Sequence, residues 1–146
     1  MKKTVILSIQ GVQRYPEQEP EVIELVTEGT MEFSSGGWEI SYEESELTGL
    51  AGVTTSFRVE PGKVTLRRTG ALRSEMVFQE GVSHQSLYQM DFGVLLLTVC
   101  ARQITAALSD DGGAVDLVYD IEIENMAAGA VEYHLTIQPK QSSGSL

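Results

Sequence analysis

Residues 115–124, VDLVYDIEIE, carry an apolar side chain at every second position: Val115, Leu117, Tyr119, Ile121 and Ile123 alternate with Asp116, Asp120, Glu122 and Glu124. A helix returns the same face about every 3.6 residues, so a repeat of two cannot be buried as a helical stripe and fits a strand with one dry and one wet face. The alternation recurs along the chain. VEYHLTIQ sets Val131, Tyr133, Leu135 and Ile137 against Glu132, His134, Thr136 and Gln138, and TVILSIQGV sets Val5, Leu7 and Ile9 against Thr4, Ser8 and Gln10, with Ile6 out of phase. In EVIELVTEGTMEF, Ile23, Leu25, Met31 and Phe33 oppose Glu24, Glu28, Thr30 and Glu32, and Gly29 reads as a bend or bulge.

Turn-forming clusters separate these runs: YPEQEP, SSGG, TGLAG, EPGK, TGALRS, EGVSH, SDDGG and MAAGA. In EPGK, Pro61 and Gly62 occupy the centre, as in a type II turn with positive φ at the glycine. Residues 101–108, ARQITAAL, have some helical propensity, but Ile104, Ala106 and Leu108 alternate with Gln103, Thr105 and Ala107, which favours strand. GVLLLTVCA is apolar on both sides and is expected to be covered on its outer face or to lie at a closure seam. Many antiparallel strands on short hairpins make an up-and-down barrel or a sandwich. Closure removes exposed edges, which favours an all-β, antiparallel up-and-down β-barrel of about 8–10 strands.

A chain of 146 residues fits one domain and buries roughly 70% of its unfolded surface. Residues 1–140 are assigned to the barrel and 141–146 to a disordered polar tail. The net charge of −11 repels phosphate backbones and anionic lipid, so neither nucleic acid nor a membrane is expected as partner. Half of the ten basic residues, Arg58, Lys63, Arg67, Arg68 and Arg73, nevertheless fall in one short stretch. An anion would bind there if anywhere. Cys100 is the single cysteine, excluding an intrachain disulfide, and its apolar neighbours suggest a buried structural thiol. No secretory h-region and no long apolar span is present, so a cytoplasmic location is expected.

Signatures of catalysis are missing. His84 and His134 are fifty residues apart and Cys100 is spaced to join neither, so no metal site, cofactor or nucleophile–base pair is expected, and the reading leans away from an enzyme. SDDGG lacks the spacing of a calcium loop and reads as a hairpin turn. One row of side chains stands out. In WEISYEE, Trp38, Ile40, Tyr42 and Glu44 share a face, so a carboxylate points where a core should be. An enclosed carboxylate needs a partner or its proton. In KVTLRRTG, Arg68 falls in phase with Val64 and Leu66, and a bidentate Arg68–Glu44 pair at one end of the interior would satisfy both groups. Tyr42, Tyr88, Tyr119 and Tyr133 add apolar bodies with hydroxyl tips. The candidate ligand-binding residues are therefore Tyr42, Glu44, Arg68, Tyr88, Tyr119 and Tyr133.

Tyr42-Glu43-Glu44, Arg68-Thr69-Gly70, Met76-Val77-Phe78 with Gly81, Tyr88, Gly93 and the late strand at Tyr119 occur in an order that resembles the YwiB-like family of small bacterial proteins, over about residues 2–140. Where that family has Thr-Pro before an aromatic and Gly, this chain has Met90-Asp91-Phe92-Gly93. The resemblance implies a calycin-like, lipocalin-shaped barrel in a cytoplasmic bacterial protein and no established activity. Two functional readings stand. One is a non-catalytic binding module for a small anionic or amphipathic ligand; the other is an interaction protein, such as a homodimer, with a filled barrel.

Overall fold

The computed structural model of the chain describes residues 2–46, 50–90 and 93–140, with Met90 as backbone only. The polar tail and Asp91-Phe92 lie outside the described residues, as does part of the TGLAG turn. The alternating runs form β1 (Lys3–Arg14), β2 (Glu21–Ser34), β3 (Gly37–Glu43), β4 (Val53–Glu60), β5 (Lys63–Gly70), β6 (Ser74–Phe78), β7 (Ser83–Met90), β8 (Gly93–Ser109), β9 (Gly112–Ile123) and β10 (Met126–Pro139). No helix occurs among the described residues, so none there is long and apolar enough to cross a membrane. Residues 101–108 belong to the long strand β8.

The ten strands form one antiparallel sheet in the order β6-β5-β4-β3-β2-β1-β10-β9-β8-β7. Each strand pairs with its sequence neighbour, β1 pairs with β10, and the sheet curls until β6 and β7 meet. No ladder joins that last pair. Isolated bridges, Arg73 with Gln89 and Glu80 with Ala101, hold the seam instead, so the barrel is nearly closed.

Turn chemistry explains most of the connections. Gly62 has φ 73°, as expected for EPGK, and Ser35 and Gly36 both have positive φ in a two-residue hairpin. MAAGA, expected as a turn, lies within β10, where the register shifts between Ala127 and Gly129 as a bulge. The reversal falls one step earlier, at Glu124 and Asn125, both with positive φ, a conformation Asn tolerates better than most residues. Gly29 is neither bulge nor turn, since the β1–β2 ladder runs through it without a register shift. Its lack of a side chain answers a packing need: a Cβ there would lie 2.5 Å from the Ser41 carbonyl oxygen.

Inward rows follow the predicted phase through the middle of the barrel, whereas Ile23 and Phe33, towards the two ends of β2, are 53% and 52% exposed. Phe57, Phe78, Leu7, Met31, Ile40, Leu117, Leu135 and Ile137 are all essentially sealed from solvent and form a plug across the middle of the barrel. Of the two expectations for GVLLLTVCA, this stretch meets the closure seam at the Glu80–Ala101 bridge, but its outer face is not covered. Cys100 is half-buried there rather than buried, and Val94 is 55% exposed, because the neighbouring strands flank this face without covering it.

Candidate ligand-binding site

Register builds the site. Tyr42 pairs with Thr55, Thr55 with Arg68, and Arg68 with Ser74, so four strands contribute one inward row at the same level of the barrel. The ladder continues one step beyond β3, where Glu44 N–H donates to the Val53 carbonyl at 2.8 Å. This keeps Glu44 in phase with Tyr42 and turns its carboxyl inward, where it is buried. Thr55, fully buried, donates its hydroxyl to Glu44 Oε2 at 2.5 Å.

Three tyrosines complete the wall. Tyr133 donates to the Tyr42 hydroxyl, which in turn donates to Glu44. Burial, reinforced by the Glu44 charge, pushes the Tyr42 phenol up to about 12. Burial also pushes Tyr119 up to about 12 and Tyr133 well above its ordinary value, while the Arg68 charge pulls all three the other way. Phe57 packs on Tyr133 and Phe78 on Tyr119, with ring centroids 5.5 and 4.6 Å apart, which ties this wall to the plug.

These phenols make the barrel sensitive to alkali. Unfolded tyrosines release protons near pH 10, whereas Tyr42 and Tyr119 hold theirs to about 12. Between those values the unfolded chain binds fewer protons, so stability is complete below pH 10 and falls as pH rises through the window. A near-ultraviolet phenolate titration should show Tyr42, Tyr119 and Tyr133 ionising together with loss of tertiary structure. Ionisation of all tyrosines near pH 10 in an intact barrel would contradict this placement.

Arg68 does not pair as expected. The ion pairs of the described arginines are Arg14 with Glu132, Arg58 with Glu39 and Glu60, Arg67 with Glu75, and Arg102 with Asp120. Thr55 stands between Tyr42 and Arg68 in the row, and its short side chain engages the Glu44 oxygen. Arg68 Nε is buried and accepted by no group among the described residues.

Tyr42, Glu44, Arg68, Tyr88, Tyr119 and Tyr133 line one cavity of about 360 Å³ on one side of the plug. The alternation thus brought all six to one place. It did not single out Thr55, which becomes visible only through the β3–β4 register, or the apolar rim of Ile23, Leu25, Ile121 and Val131. The rim is legible in the inward phase of β2, β9 and β10. A wider depression of about 750 Å³ lies among Phe33, Trp38, Val82 and Leu108. Its carboxylates are already engaged, Glu80 by the Ile104 N–H at 2.8 Å and Glu60 by Arg58 at 3.7 Å. Among the described residues no three His, Cys, Asp or Glu side chains lie close enough to hold a metal.

Comparison with known proteins agrees with this architecture. A family described as a domain of unknown function (DUF1934) matches residues 7–137. The chain is similar to the uncharacterized β-barrel protein YwiB of Bacillus subtilis (strain 168), at 31% identity over 103 residues, 70% of this chain and 71% of that protein. It is also similar to the crystal structure of the ywiB protein from Bacillus subtilis, with a TM-score of 0.85 and 25% identity, covering 96% of this chain and 94% of the other.

Proposed function

The chain belongs to the DUF1934 family of domains of unknown function, and from that premise we propose that it is a cytoplasmic, non-catalytic binding module of calycin-like shape that holds a small anionic or amphipathic ligand inside the barrel. The observation that carries the reading is the Arg68 guanidinium, part-buried with its Nε unbonded, at the polar end of a cavity whose rim is apolar. An enclosed donor without an acceptor costs desolvation free energy that a ligand's acceptor would offset. The cavity of about 360 Å³ also falls within the usual range of small-molecule sites. Tyrosine hydroxyls and Arg68 would meet the ligand's anionic head; Ile23, Leu25, Ile121 and Val131 would flank its apolar body.

The non-catalytic part of the reading rests on where the histidines lie. His134 bonds Asp116 at 2.6 Å and His84 bonds Gln79 at 2.6 Å, and neither lines the cavity. A medium-chain carboxylate such as decanoate tests the reading, with decanol as the uncharged control. At a hundredfold excess over Kd a ligand stabilises by about 2.7 kcal/mol, which moves the thermal midpoint of a domain this size by about 5–10 °C. Decanoate should produce such a shift and decanol a smaller one. Equal shifts, or none, would sink the role assigned to Arg68.

A second reading, a protein–protein interface such as a homodimer, is favoured by Val22 and Val26 on the outer face of β2, exposed by 53% and 71%. Sedimentation velocity decides it: a concentration-dependent dimer that Val26→Glu dissociates would support it, and a monomer at all concentrations would exclude the homodimer.

A further inference from the structure

The seam where the sheet fails to close has its own chemistry. Between the Arg73–Gln89 bridge and the Gln79–Val82 turn, β6 and β7 share no ladder, and the gap is faced by side chains. Four buried side-chain polar atoms among the described residues lack a hydrogen-bond partner: Arg68 Nε, Ser74 Oγ, Ser86 Oγ and Thr98 Oγ1. Three of them, on Arg68, Ser74 and Ser86, belong to residues that line a single cleft of about 490 Å³ at this seam. Ser74 is only 6% exposed and shares the inward row with Arg68. Buried hydroxyls and guanidinium nitrogens are nearly always bonded, so three unpartnered polar atoms on residues that line one cleft mark it as a place where a rotamer change would bring donors to an acceptor.

Charge points the same way. Arg67, Arg68, Arg73 and Glu75 line the cleft, and Arg67 is neutralised by Glu75 at 2.9 Å. Arg68 and Arg73 form no ion pair among the described residues, which leaves two positive charges on a chain of net charge −11. Glu44 lines the interior cavity but not this cleft. Two guanidinium groups and two hydroxyls, presented from β5, β6, β7 and the turn before β6, suit a tetrahedral dianion, whose oxygens point in several directions. A planar carboxylate would leave donors unmatched.

We propose that the β6–β7 seam is a phosphate-binding site, in which Arg68, Arg73, Ser74 and Ser86 hold a phosphate group, free or terminal in a phosphomonoester. The site goes beyond the interior cavity and touches it only through Arg68.

The probes are inorganic phosphate and phenyl phosphate, followed by isothermal titration and by ³¹P line broadening. The wild-type chain should bind with saturation at millimolar concentration or below. The double variant Ser74→Ala, Ser86→Ala should weaken binding at least about tenfold, because hydrogen bonds to a charged acceptor are the stronger kind. Its thermal midpoint should hold or rise, since each unpaired buried hydroxyl is removed and a methyl group remains. Arg73→Gln should weaken binding as well. Tighter binding of phenyl phosphate would identify an esterified ligand, and equal binding the free ion; either supports the site. No saturable binding, or equal affinity in the wild-type chain and the double variant, which would mean an adventitious ion only, would overturn it. Neither serine lines the interior cavity, so decanoate binding read on the same double variant separates failure at the seam from failure of the interior site.

Discussion

Replacing Arg68 with methionine should leave the barrel at least as stable as before and cost it most of its affinity for an anionic ligand. The two effects share one cause. Arg68 Nε is buried without an acceptor, a desolvation cost that a methionine of similar length removes while filling much of the same space. A ligand carboxylate, by contrast, loses its charged donor. A hydrogen bond to a charged group contributes about 1.5–3 kcal/mol, so decanoate affinity should fall by about 10- to 150-fold. Arg68→Lys is the informative control: it keeps the charge without the planar fork and should fall between the two. Thermal denaturation and calorimetric titration of the three proteins check both effects. A methionine variant that is markedly less stable yet binds decanoate normally would show that Arg68 serves the fold.

The second large effect is expected at Phe78. Its side chain is fully sealed from solvent, and its ring lies 4.6 Å from that of Tyr119, joining the central plug to the cavity wall. Truncating a buried phenylalanine to alanine costs about 3–5 kcal/mol, against a total of about 5–15 kcal/mol for a typical domain. Phe78→Ala should therefore lower the urea midpoint steeply. It should also weaken decanoate binding, since Tyr119 loses the ring that positions it. A change below about 1 kcal/mol would mean that the plug repacks freely, and the cavity could not then be regarded as preformed.

Much of the site was legible because alternation is a strict rule. Once WEISYEE and KVTLRRTG are read as strands, Tyr42, Glu44 and Arg68 must face inward, and they do. Which inward groups meet depends on register between strands, which alternation does not report. Phase alone therefore points Glu44 towards Arg68, whereas the register brings Thr55 to it. The cleft at the seam was less legible still. Ser74 and Ser86 sit in phase with Met76 and Tyr88 in their own strands, but their convergence arises from closure between β6 and β7, where no ladder fixes the meeting. Local chemistry misled at two points. MAAGA has the small residues of a turn, yet the reversal uses Glu124 and Asn125, and the small residues accommodate a bulge. Cys100 sits in an apolar run, yet the phase of β8 places it on the outer face.

The decisive measurement is a crystal structure of the chain grown with decanoate. The cavity should be open beside Ile23 and Ile121, with the carboxylate in hydrogen-bond reach of the Arg68 guanidinium and the alkyl chain along the apolar rim. An interior filled by its own side chains, with Arg68 turned onto Glu44 and decanoate absent, would contradict that placement.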